Sequence, residues 1–197
     1  MSREVEFFFD YVSPYTYLAS TQLGGLSERA GVTFRWRPFV LGGVFQATGN
    51  SAPMNVKAKG AHLFTDLERW AKCYGVPLNV PTAFPMKTIT SMRMALAADE
   101  QGAIVPFSER VFKAYWADNM DISNNDVMLG LAAEAGLDGQ KLLARANEQE
   151  IKDRLRENTD EAVRRGAFGA PTLFVDNEMF FGNDRLMLLE KFLKNEL

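Results

Sequence analysis

Strand-forming sequence stands at the two ends of this chain and nowhere between. Near the start, "VEFFF" (5–9) is a short apolar run of buried-strand type, and "VTFRWRPFV" (32–40) reads as a second strand halted by Pro38. From Pro14, apolar residues recur at helical spacing (Tyr15, Leu18, Ala19, Leu23, Leu26, Ala30), and Gly31 is placed to end that helix in the left-handed conformation. Near the end, "PTLFV" and "EMFF" flank Asp176-Asn177, the two-residue turn of a tight hairpin. A last helix follows from Asn183-Asp184, with Leu186, Leu189, Phe192 and Leu193 inward. A glycine-bearing loop, "LGGVFQATGNSAP", leads into the middle, where only helical patterns occur. Ala61, Phe64, Leu67, Ala71 and Tyr74 share one face; Phe107, Val111, Phe112 and Tyr115 another; Met128, Ala132 and Ala135 a third. Gly75, Gly102, Gly136 and Gly166 each stand where such a helix stops. Strand–helix–strand at this spacing favours a right-handed parallel unit. The expectation is therefore an α/β fold in which residues 1–54 and 150–197 close into one sheet domain and 55–149 form a helical insertion over it.

Charge narrows the function. The net charge of −3 argues against a nucleic-acid binder, which needs a basic face to neutralise phosphates. The charges of "IKDRLRENTDEAVRRG" alternate as on a solvated helix face. "MSREVEFFFD" lacks the basic start and apolar core of a signal peptide, and no run is long enough to span a bilayer. One cysteine, Cys73, cannot form an internal disulfide, so a reducing cytoplasm is expected, with no membrane partner. One His and one Cys cannot assemble a zinc site of the common nitrogen–sulfur type.

Three short stretches hold residues that suit chemistry, and each has a plain alternative. Ser13-Pro14 is an ordinary helix start, Ser capping and Pro at the first position. The same geometry also puts a hydroxyl beside unpaired N–H groups and a partial positive charge, where an anion such as a thiolate is stabilised. In "GAFGAPTLFV", Pro171 marks a strand boundary; a cis Ala170-Pro171 bond would instead leave the Ala170 backbone free to pair with an extended peptide. In "FFGNDRL", Asn183 and Asp184 are good caps, or the receiver of an amino-acid head group, helix N–H groups taking its carboxylate and Asp184 its ammonium.

The order of these pieces resembles the thioredoxin-like fold interrupted by an all-helical insertion domain, the DsbA-like form. Its redox members carry Cys-Pro-x-Cys where this chain has Ser13-Pro14-Tyr15-Thr16. Disulfide exchange needs a thiolate, so it cannot run through this motif. The blocks "FDYVSPYTYLA", "LGGVFQATGN", "FPMKTITSMRMALAA", "GAFGAPTLFV" and "FFGNDRL" are similar to the 2-hydroxychromene-2-carboxylate isomerase and kappa-class glutathione transferase family, over essentially the whole chain. The resemblance implies a glutathione cofactor, a small electrophilic or aromatic substrate of aromatic catabolism, and a homodimer. It implies that Ser13 hydrogen-bonds the glutathione sulfur and that Asn50 contacts the tripeptide. Ala170, before Pro171, pairs with its cysteinyl backbone, while Asn183 and Asp184 bind its γ-glutamyl end. The family pattern often has Lys where this chain has Gln46; Arg93, Lys57, Lys59 and Lys87 are the candidates to replace that charge.

The implied reaction is isomerisation by thiolate addition, bond rotation and elimination. A transferase or peroxidase acting on other electrophiles, and a redox-inactive peptide-binding module, are the alternatives. Phe39, Phe84, Tyr115 and Trp116 are either an aromatic pocket or helical core, with "FPMKT" entering a helix at Phe84-Pro85. Cys73 is expected to be buried and inert, and His62 has no assigned role.

Overall fold

The computed structural model describes residues 3–197. Strand β1 (Glu4–Phe9) is followed by helix α1 (Pro14–Ala30) and strand β2 (Thr33–Pro38), and β2 lies parallel to β1 from Glu4↔Thr33 to Phe9↔Pro38. Strands β3 (Thr172–Val175) and β4 (Glu178–Phe181) form the hairpin, and β3 runs antiparallel to β1. One sheet of order β2-β1-β3-β4 results, so the two ends of the chain do close on each other. Asp176 takes a left-handed φ of 54° in the hairpin turn, which an Asp tolerates better than most residues. The fold is the DsbA-like thioredoxin fold.

Between the sheet's halves run α2 (Leu41–Thr48), α3 (Lys57–Tyr74), α4 (Ile89–Asp99), α5 (Ile104–Trp116), α6 (Asn125–Glu134), α7 (Gly139–Ala146) and α8 (Gln149–Arg164); α9 (Leu186–Leu193) closes the chain. Because alternate residues of a strand face opposite sides, β1 serves two cores. Val5, Phe7 and Phe9 join the main core with α1 and α5, whereas Phe8 packs with Phe39, Val44, Ala162 and Phe174 beneath α2 and α8. The helical block is pinned to the strand end by a buried hydrogen bond, Trp116 Nε1 donating to the Tyr11 carbonyl at 2.8 Å. Among the described residues no helix is long and apolar enough to cross a membrane, and no group of His, Cys, Asp and Glu could hold a metal ion.

Four expectations are corrected. "LGGVFQAT" is helix α2 rather than loop: Leu41 and Val44 bury one face, and Gly43 lets α8 approach until a Cβ there would lie 3.3 Å from Thr159 Cγ2. Helix α4 starts at Ile89, four residues after Pro85, because Thr88 is drawn to a buried carboxylate described below. In α3 the inward residues are Leu63, Leu67 and Ala71, with Ala61 exposed. Cys73, two residues past Ala71 and thus on the opposite side of the helix, is exposed rather than buried. Phe39, Tyr115 and Trp116 are core, with Phe84 packed edge-on to Trp116.

Candidate active site

The site forms where β1 hands over to α1. Ser13 caps α1 from an extended backbone (φ −90°, ψ 117°); its Oγ accepts the Thr16 N–H at 3.2 Å, and Pro14 holds the first helical position. No acidic residue occupies the first turn, so the positive end of the helix is uncompensated there. The Ser13 hydroxyl donates to the Ala170 carbonyl at 3.1 Å. That contact joins the opening of α1 to the loop before β3, where the Ala170–Pro171 bond is cis. Beside Ser13, the buried Thr16 Oγ1 has no hydrogen-bond partner among the described residues.

Beneath the site lies a residue that the sequence reading passed over. Asp10, fully buried, accepts from Thr88 Oγ1 (2.6 Å), the Leu41 N–H (2.9 Å) and the Val12 N–H (3.1 Å). Burial raises its carboxyl above the ordinary value, against the lowering effect of those three donors. One carboxylate thereby gathers the starts of α2 and α4 beneath the loop that presents Ser13. The signal was a lone acid at the end of an apolar strand, where a buried charge needs a reason.

The other expected residues are brought to the same end of the sheet. Asn50, just after α2, donates its Nδ2 to the Phe168 carbonyl at 2.7 Å, two residues before Ala170. Asn183 is buried and does not cap: the short turn Asn183–Arg185 starts from Gly182 with no side-chain cap. Its carbonyl instead accepts from Tyr74 Oη at 3.1 Å, which ties the turn to α3. Asp184 does not cap either; it is exposed and pairs with Arg185. Tyr15 stands between acids, donating to Asp66 Oδ2 at 2.8 Å. Burial, that hydrogen bond, and the charges of Asp66 and Asp184 raise its phenol well above the ordinary range. Sequence reasoning missed Tyr15, Asp66 and Tyr74, because their partners come from elements distant in sequence. Gln46 and Arg93 line a cavity that none of the expected site residues reaches.

The DSBA-like thioredoxin domain family matches residues 4–194. A 2-hydroxychromene-2-carboxylate isomerase of Sphingobium xenophagum is 34 % identical over 195 residues, covering 98 % of this chain and 99 % of that protein. Glutathione S-transferase kappa 1 of Rattus norvegicus is 30 % identical over 201 residues, covering 95 % and 89 %. A solved structure of a 2-hydroxychromene-2-carboxylate isomerase superposes with a TM-score of 0.89 at 29 % identity, covering 98 % of this chain and 95 % of that one.

Proposed function

Since the chain belongs to the DSBA-like thioredoxin domain family, and within it to the family of 2-hydroxychromene-2-carboxylate isomerases and kappa-class glutathione transferases, we propose that it is a glutathione-dependent isomerase of a 2-hydroxychromene-2-carboxylate type of substrate. The observation that carries the reading is Ser13: a hydroxyl, where redox relatives keep a thiol, set at an uncompensated helix start and against the loop at Pro171.

The residues present fit glutathione. Thr16 Oγ1 is an orphaned buried hydroxyl in the first turn, and such a group is stabilised by an acceptor placed within its reach. Ser13 would hold the sulfur, Ala170 the cysteinyl backbone, and Asn183 and Asp184 the γ-glutamyl end, with Asn50 fixing the neighbouring loop. When bound, glutathione supplies a sulfur nucleophile whose addition and departure let a double bond turn as a single one. The task of Ser13 is to redirect the proton it gives to Ala170 toward that sulfur while still accepting from Thr16. An unperturbed thiol has a pKa of about 8.5, and lowering it by about two units takes about 2.7 kcal/mol. The helix start contributes about 0.3–1 kcal/mol, up to about 2 when partly buried. A hydrogen bond to the charged sulfur contributes about 1.5–3 kcal/mol. Together they suffice. Asp184, once it exchanges Arg185 for the incoming group, and Asp66 bonded to Tyr15 would make the pole suited to an ammonium.

A transferase acting on other electrophiles is the second reading, supported by the 30 % identity to a kappa-class glutathione transferase. Assaying 2-hydroxychromene-2-carboxylate beside a halogenated dinitrobenzene, each with and without glutathione, separates the two. A protein whose melting is indifferent to millimolar glutathione, and which turns over neither compound, overturns both.

A further inference from the structure

A cavity of about 730 Å³ opens between α2, α4 and α8. None of Ser13, Asn50, Ala170, Asn183 or Asp184 lines it. Its apolar part is made by Val40, Ile89, Leu155 and Val163, with Ile89 44 % exposed. Its charged part is one-sided: Arg93 from α4 and Lys152, Arg156 and Arg164 from α8, four cations against the single carboxylate of Asp160.

These cations are not the ordinary paired charges of this protein. Elsewhere on α8, Arg154 pairs with Asp99 and Glu100, and just past its end Arg165 pairs with Glu6 and Glu161. Around the cavity only Arg156 is paired, with Asp153 at 2.8 Å. Among the described residues no carboxylate lies within 4.0 Å of the charged nitrogens of Arg93, Lys152 or Arg164. Arg93 Nε is moreover buried without a hydrogen-bond partner. That nitrogen is sealed from the cavity, so an oxyanion there would meet the terminal nitrogens of the Arg93 guanidinium instead. The volume falls within the range of small-molecule sites, roughly 300–1,000 Å³. An inorganic anion would satisfy the guanidinium and leave the apolar wall wet.

We propose that this cavity is a binding site for a small organic anion, a carboxylate or sulfonate on an aromatic ring system. Its charged end meets Arg93, with Lys152 and Arg164 adding field, and its ring lies on Val40, Ile89, Leu155 and Val163. The site goes beyond the glutathione reading and includes none of Ser13, Asn50, Ala170, Asn183 or Asp184.

The test is fluorescence titration of the full chain with 8-anilinonaphthalene-1-sulfonate. Expected is saturable binding that inorganic sulfate at equal concentration does not displace and that saturating glutathione leaves in place. Arg93→Gln should weaken it about tenfold, equivalent to about 1.4 kcal/mol. Gln46→Lys, on the exposed side of α2, should tighten it about threefold and keeps the test valid if the Arg93 variant does not fold. Absence of saturable binding, or binding that neither variant changes, overturns the proposal. So does displacement by sulfate, which would mean ionic attraction alone. Displacement by glutathione together with loss in Asp184→Ala overturns it too, by placing the probe in the tripeptide's site.

Discussion

Replacing Ser13 by Ala tests the proposed chemistry at the one atom it depends on. The substitution removes two interactions: the proton that Oγ gives to Ala170, to be redirected to a sulfur, and the cap it accepts from Thr16. The first sets the chemistry. Losing a hydrogen bond to a charged sulfur, about 1.5–3 kcal/mol, raises the bound thiol's pKa by about 1–2 units. At pH 7 the thiolate fraction, and turnover with it, should fall about three- to twenty-fivefold and recover as the pH approaches about 8.5. Tripeptide affinity should change little, since Ala170, Asn183 and Asp184 remain. The second interaction sets stability. Loss of an N-cap costs about 0.5–2 kcal/mol, and each kcal/mol lowers Tm by roughly 2–4 °C at this chain length. Asn124→Ala removes the cap of α6, whose Oδ1 accepts the Asp126 N–H at 2.8 Å, and should give a similar Tm loss with turnover intact. The assay is the thiolate absorbance of bound glutathione followed through pH, beside turnover. A Ser13→Ala protein with an unchanged thiol titration and unchanged turnover refutes the reasoning, whatever its Tm.

Asp184→Asn should weaken glutathione binding about tenfold by calorimetry, with the thiol pKa unmoved; a shifted pKa with intact affinity would place Asp184 at the sulfur end. Gly182→Ala should lower both affinity and Tm. Gly182 has φ 100°, and a Cβ there would sit 2.5 Å from Asp184 Oδ1, so a variant that binds and melts like the wild type would mean that this turn does not aim Asp184. Asp10→Asn puts an amide donor among the Thr88, Leu41 and Val12 donors and should cost about 1–3 kcal/mol in urea unfolding under acidic conditions. Because burial raises the Asp10 pKa in the folded state, its contribution is full below the unfolded value of 3.8 and is lost as pH rises through the folded one. The stability gap between wild type and variant should therefore narrow with rising pH; a widening gap would mean the three donors outweigh burial.

Elements were legible where one periodicity governed a whole segment. The 3.6-residue spacing of α1 and the Phe107–Tyr115 face of α5 could be read directly, since each of those faces meets a single core. Leu41–Thr48 was not, because two adjacent glycines lower helix propensity and only the contact with Thr159 shows what they permit. The facing of Cys73 was lost for a related reason. Burial was inferred from residue type, whereas the rotation of α3 is set by Leu63, Leu67 and Ala71.

The site divides along the same line. Ser13 and Pro171 carry their meaning locally, as a cap and a pre-strand proline. Asn183 does not: its local chemistry says cap, but its carbonyl is held by Tyr74, more than a hundred residues earlier, and the side chain turns inward. Asp10 is the extreme case, since of its three donors only the Val12 N–H lies within "FFFDYV", and Leu41 and Thr88 come from distant segments. A buried carboxylate is costly unless several donors converge on it, so its survival beneath Ser13 marks the point that the flanking elements share. The position of the hydroxyl therefore depends on α2 and α4 as much as on β1 and α1. A change at Thr88 should move the thiol pKa of bound glutathione even though Thr88 touches no proposed glutathione ligand, and Thr88→Val, which keeps the shape and removes the donor, is the variant that separates this from a packing effect.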